Sequence, residues 1–331
     1  MTAGWCSSAL SSLKLALGKS RAAWRRYPAL RKKVRDLPSG PPILVTGMYR
    51  SGTTWVGAML ATPGVWHVHE PFNPQQGLWD REFDYARPEE ARPDIDRLVS
   101  AILRGRRRRT LRMPHSHRWY LPIRLLPQRP KRVLIKDPSA ALLAEYLTRR
   151  HGMRTLILFR HPAAVAQSFV RLDWPTGRMV RDLLESETLV AEWLEPMLDM
   201  MREALGRSDL FSGTVLYACV ARVLDGFVRR NSAGMTPLLF EDLCADPIGG
   251  FRELYRELDL PYDATVVERH GSLCFPEKEA DDRPHGVRRS SADMAERWKA
   301  ELSPADVEIV RSTWERAGID RYRGVWACGS R

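Results

Sequence analysis

Cysteine is scarce and scattered in this chain. Cys6, Cys219, Cys244, Cys274 and Cys328 are odd in number and far apart in 331 residues. No CxxC and no Cys/His metal spacing occurs, which argues against a disulfide framework or a zinc module and for free thiols in a reducing cytoplasm. Long apolar runs are missing too. No stretch reaches the roughly 18 apolar residues of a spanning helix, and Ser, Lys and Gly interrupt the N-terminal stretch that a signal peptide would need. Zinc-finger spacing, an RNP-like aromatic motif and a clear reading helix are all absent, so nucleic acid is not an expected partner.

Acid is missing from one long interval. Between Asp96 and Asp137 stand thirteen Lys or Arg and no Asp or Glu, and the first 40 residues carry nine Lys or Arg against Asp36 alone. The formal charge of +12 therefore describes two basic segments on an otherwise acidic body. Such segments attract anionic polymers and phospholipid headgroups. Residues 1–40 read as a basic amphipathic arm, with Leu10, Leu13, Leu17 and Trp24 at helical spacings. It suits either a peripheral place on the inner membrane face or packing on the domain. The stretch Arg104–Arg118 reads either as a solvated face or as contact for an acidic acceptor or a membrane.

What is present is a globular domain over residues 41–331. At 44% hydrophobic and 28% charged residues it can bury a full core. Ile43-Leu44-Val45, Val65–His69, Arg132–Lys136, Thr155–Phe159 and Pro237–Phe240 read as strands, mostly continuous apolar runs rather than alternating ones. Helical patterns separate them, around 140–150, 163–171, 179–205, 211–230, 250–258 and 303–317. Alternating strands and helices of this kind imply a three-layer α/β/α fold with a central parallel sheet, P-loop NTPase-like in plan. Ligands in such sheets lie beyond the C-terminal strand ends. Gly47–Thr54, Glu70, Lys136 and Arg160 all follow a strand, so one mouth collects a loop, a carboxylate and cations.

The loop itself runs Gly47-Met48-Tyr49-Arg50-Ser51-Gly52-Thr53-Thr54 between a strand and a helix. This is the layout of a phosphate cradle, in which backbone N–H groups and the helix dipole face an anion. Thr53 stands where the Walker motif requires Lys. No strand ends in an obvious metal-binding acid, since Glu70 and Asp137 are each followed by proline. A nucleotide kinase needs both features. Arg50 supplies a positive charge inside the loop, which favours a diphosphate-type donor handled without a metal. A kinase and a non-catalytic anion- or membrane-binding protein are the alternatives.

The segment Arg50-Ser51-Gly52-Thr53-Thr54-Trp55 resembles the 5′-phosphosulfate loop of sulfotransferases that use 3′-phosphoadenylyl sulfate (PAPS). Arg160-His161-Pro162 with Ser168 resembles that family's 3′-phosphate motif. Phe240-Glu241-Asp242-Leu243 and Arg288-Arg289-Ser290-Ser291 before Trp298-Lys299 are similar to its later segments. The resemblance implies that Arg50, Ser51, Gly52, Thr53 and Thr54 hold the 5′-phosphosulfate. Trp55 closes the motif and also reads as core packing. Arg160 and Ser168 would hold the 3′-phosphate, with Arg288 and Arg289 adding to it.

The small-molecule branch of the family places a His two positions after the strand-end Lys, where this chain has Pro138. The branches acting on carbohydrates or protein tyrosine place a Glu after the second strand, which Glu70 matches. The resemblance thus implies Glu70 as base, its pKa raised by burial, with His69 as a substitute. Lys136 would neutralise the leaving phosphate, and Asp242 would be structural. The expected reaction is sulfuryl transfer from PAPS to a hydroxyl of a carbohydrate or glycolipid, in the cytoplasm and without a metal.

Overall fold

Aliphatic runs without period-two alternation fold here as strands covered on both faces. The computed structural model describes residues 40–62, 65–76, 78–104, 132–275 and 290–326. Among them β1 (Ile43–Gly47), β2 (Val65–His69), β3 (Arg132–Lys136) and β4 (Arg154–Phe159) are buried along nearly their whole length. A fifth strand, β5 (Met235–Leu239), closes a sheet of order β2-β3-β1-β4-β5, and every neighbouring pair is parallel. The expected α/β/α fold with a central parallel sheet is the one observed.

Successive side chains point to opposite faces of the sheet, and this sorts the core in two. Leu44, Ile135, Ile157 and Phe159 join one cluster, with Val165, Phe169 and the apolar side of a long helix. Ile43, Val45, Leu134, Leu156 and Leu158 join the other, with Trp55, Val56, Met59 and Phe251. The second layer contains α1 (Thr53–Leu60), the helix that leaves the loop after β1. On the first face lie α3 (Ala144–His151), α4 (Pro162–Arg171) and α7 (Leu210–Arg230), α2 (Pro93–Leu103) having preceded β3. By length and composition α7 could cross a membrane, contrary to the sequence expectation, but most of it is buried inside the domain.

The long helix expected over 179–205 is broken into α5 (Thr176–Leu184), short turns over 187–197, and α6 (Leu198–Ala204). Pro196 lacks the N–H that a continuous helix would need there. The helix expected from Ala140 starts instead as a 3-10 turn, Pro138–Leu143, and becomes α3 at Ala144. The last strand starts two residues earlier than its apolar run, and Phe240 opens α8 (Phe240–Ala245) rather than ending β5. The chain continues through α9 (Pro247–Glu257), α10 (Ala264–Cys274), α11 (Ser291–Glu301) and α12 (Pro304–Arg316). The start of α12 is the expected one, a capping box in which Ser303 and Asp306 bond each other's backbone N–H.

Thr155 donates its N–H to the Gly234 carbonyl. Ladder partners in a parallel pair alternate along a strand, so Thr236 and Leu238 bond to β4 and Pro237 faces the open edge. A residue without an N–H is tolerated there and not on the inner side. The basic arm up to residue 39, the Arg104–Arg118 stretch beyond Arg104, Arg288, Arg289, Cys6 and Cys328 lie outside the described residues. The other three cysteines are free and buried.

Candidate active site

β1 and α1 set the first half of the site. Gly47, at φ 149°, leaves room that a side chain would take from Ser51 Oγ and from the Leu158 carbonyl. Gly52 turns the chain into α1 at φ 99°, and a Cβ there would lie 2.4 Å from the Phe240 ring. Only glycine adopts both the conformation and the closeness. Between them Ser51 N–H and Oγ both donate to the Met48 carbonyl, at 3.1 and 2.6 Å. The Ser51 hydroxyl therefore closes the loop and offers an anion only its lone pairs. Trp55 and Val56 donate to the Gly52 carbonyl, which leaves the N–H groups of Gly52, Thr53 and Thr54 without a backbone acceptor among the described residues. These are the open donors of a helix start. Trp55 itself is buried, edge-on to Phe240 and Phe251. Its indole belongs to the core, which corrects its place among the nucleotide contacts.

Arg50 and the end of β4 form the second half. Arg50 sits at φ 70°, unusual for a residue with a side chain, and donates from Nε to Ser168 Oγ at 3.0 Å. Ser168 lies two turns into α4, 118 residues away along the chain. Arg160 donates from Nη1 to the Arg50 carbonyl at 3.0 Å and from Nη2 to the Met294 carbonyl of α11 at 2.6 Å. Its guanidinium lies 4.4 Å from the Phe240 ring centre. Its Nε, buried, has no partner among the described residues. Burial lowers the Arg160 pKa, and the Glu241 carboxylate opposes that shift. The sequence-derived groups Arg50, Arg160 and Ser168 are thus one cluster.

Lys136 ends β3, Glu70 follows β2, and the two pair directly, Nζ to Oε1. Lys136 is only 1% exposed. Its stem passes beneath Gly57 of α1, where a Cβ would lie 2.9 Å from Lys136 Cγ. Asn73 Nδ2 donates to Glu70 Oε2 at 2.7 Å, and His69 Nε2 stands 3.6 Å from Oε1. Burial pushes the Glu70 carboxyl up. The charge of Lys136, then that of His69, then hydrogen bonds from Lys136 and Asn73, more than reverse this and hold it below its ordinary value. The expectation of a raised pKa is therefore corrected, because the cation that was to meet the donor also pairs with the base. His67, also buried, is pushed down to about 3 by burial and by the nearby charges of His69 and Lys136.

Several further residues support these groups. Glu241 accepts from the His161 N–H at 2.9 Å and from Tyr322 Oη at 2.7 Å, so it anchors the turn that carries Arg160. Tyr217 of α7 exchanges hydrogen bonds with the N–H and carbonyl of Arg160. His161 stacks on Trp298 with ring centroids 4.3 Å apart, and burial pushes its pKa down to about 4. These partners come from distant segments: Glu241, His161 and Trp298 stand in stretches that resemble family motifs, whereas Tyr217 and Tyr322 carried no signal in the sequence. No partner for the Asp242 side chain is seen among the described residues.

The sequence matches the family model described as "Sulfotransferase family" over residues 41–264, more than half of the chain. A search of curated proteins returned no match. Among solved structures, the chain is similar to a sulfotransferase domain from the curacin biosynthetic pathway, with 15% identity, 83% of this chain and 98% of that one covered, and a TM-score of 0.44. Sulfotransferase STF9 from Mycobacterium avium matches at 16% identity over 84% and 79% of the two chains, with a TM-score of 0.42. Mouse sulfotransferase SULT7A1 complexed with PAP matches at 12% identity over 86% of each, with a TM-score of 0.42.

Proposed function

This chain belongs to the sulfotransferase family, and on that premise we propose that it moves a sulfuryl group from PAPS to a hydroxyl of a carbohydrate or glycolipid. The observation that carries the reading is the Arg50–Ser168–Arg160 cluster. It joins the loop after β1 to the turn after β4, two anion-recognising segments that a donor with phosphates at both ends of a nucleoside would bridge. The residues fit such a donor. Arg160 Nε is a buried donor without a partner among the described residues, and the start of α1 presents open N–H groups over a glycine-lined loop.

In this reading Arg50 and the N–H groups of residues 52–54 bind the 5′-phosphosulfate, and Arg160 with Ser168 binds the 3′-phosphate. Arg288 and Arg289 add to the second group. The acceptor oxygen attacks sulfur, the S–O bond to the leaving phosphate breaks, and the acceptor proton passes to Glu70. Lys136 Nζ stands against the departing charge. A carboxylate already ionised at neutral pH is a ready acceptor, and moving Lys136 toward the donor would relieve the charge that keeps Glu70 a weak base. The Glu in place of His supports a saccharide hydroxyl, and the two basic segments support an anionic or membrane-associated acceptor reached from the cytoplasm.

Two measurements test this. Incubation with ³⁵S-labelled PAPS and a panel of glycans and glycolipids should give a labelled sulfate ester. Adenosine 3′,5′-bisphosphate should raise the melting temperature, a gain of about 2.7 kcal/mol at a hundredfold excess over Kd. Arg50→Ala or Arg160→Ala should remove the shift, and its absence in the wild type would end the PAPS reading.

A further inference from the structure

Asp137 follows Lys136 directly but belongs to neither half of the donor grip. It is fully buried, and each of its polar groups is used. Its Oδ2 accepts the Phe72 N–H at 2.6 Å and its Oδ1 accepts the Ser139 N–H at 2.9 Å. Its own N–H donates to the Val45 carbonyl, and its carbonyl accepts from Thr46 Oγ1. The aspartate is thereby fixed to β1 on one side and grips the turn after β2 on the other. That turn carries Glu70 at φ 46°, a left-handed conformation that a glutamate adopts only when its surroundings impose it. The last β2–β3 bond, Glu70 N–H to the Lys136 carbonyl, comes just before the turn, and the Asn73 N–H returns to the Glu70 carbonyl.

We propose that Asp137 is the positioning residue of the base: its carboxylate clamps the 70–73 turn to the end of β3 and holds Glu70 where it meets Lys136. The inference rests on the reading of Glu70 as base. It needs both carboxylate oxygens as acceptors, so a proton on either one releases one of the two N–H groups. Three groups face Asp137: Glu70 from the turn, Lys136 from β3 and Tyr49 from the loop after β1, which bonds Ser139 Oγ at 2.7 Å. Burial first, then the Glu70 charge, push the Asp137 carboxyl up to about 7, against the Phe72 N–H, the Lys136 charge and the Ser139 N–H. The clamp should therefore loosen as pH falls through about 7. Glu70 alone, held below its ordinary value, would give an acid limb far lower.

The test uses the full chain labelled with ¹⁵N-phenylalanine. The Phe72 amide resonance should titrate with a midpoint near 7, and Asp137→Asn should abolish that titration. Sulfate release from ³⁵S-labelled PAPS, with water as the acceptor, reads the base directly. In the wild type it should fall as pH drops below about 7. In Asp137→Asn it should be about tenfold slower or more, with the limb near 7 gone and the Kd for adenosine 3′,5′-bisphosphate within about twofold. A Phe72 amide that does not move, or an Asp137→Asn enzyme with wild-type rate and pH profile, overturns the proposal. Should Asp137→Asn fail to fold, the wild-type amide titration and acid limb decide alone. Glu70→Gln separates the two readings. Wild-type release from it overturns the base assignment and the clamp with it, whereas an inactive Glu70→Gln beside a normal Asp137→Asn overturns the clamp only.

Discussion

Glu70 gains its chemistry from a neighbour that the sequence places 66 residues away. As a strand-end carboxylate it was legible, because a run of apolar residues ending in Glu-Pro marks both the strand and its stop. The direction of its pKa was not, since that depends on which cation lies against it. Replacing it by Gln removes the proton acceptor but leaves the donor grip intact. Glu70→Gln should therefore bind adenosine 3′,5′-bisphosphate with a Kd within about twofold and lose about 10²- to 10⁴-fold in transfer rate. Isothermal titration and a labelled-donor assay read the two halves separately. Arg160 offers a similar lesson. Its place after β4 was readable, whereas the carbonyl of Met294 that fixes its other edge comes from α11, a helix the sequence reading did not anticipate.

At the level of elements, the loop after β1 shows why spacing alone underdescribes a site. Glycines bounded the loop in the sequence, but what packs against them is set by the start of α8. The Phe240 ring fills the space beside Gly52 and lies under Arg160, so one side chain shapes both the loop and the turn after β4. Gly52→Ala would need φ 99° from a residue with a Cβ, in a place already occupied. Melting should show a destabilisation of about 1–3 kcal/mol, and donor-product affinity should fall with it. Strands were readable because a parallel sheet demands uninterrupted apolar runs. The breaks near Pro196 and the 3-10 start before α3 were not, since apolar periodicity survives such changes of pitch.

For the whole molecule, buried titratable groups decide how stability responds to acid. His67 and His161 ionise at about 3 and about 4 when folded and near 6.5 when unfolded. Their stabilising contribution is complete above 6.5 and is lost as pH falls toward those lower values. Asp137, raised to about 7, holds its proton across the same window while the unfolded carboxyl does not, so it offsets one of the two histidines. His151 and His270, also pushed down by burial, add to the two histidines, so the unfolded chain takes up more protons than the folded one and stability falls with pH. Melting temperature should drop steadily from pH 6.5 to pH 4, and a flat profile would contradict these assignments. The edge of the sheet has a different consequence. Because Pro237 turns its nitrogen outward, an incoming strand from another copy would find no donor at the middle of β5. Fibril-like stacking through that side is discouraged by one atom's worth of missing chemistry.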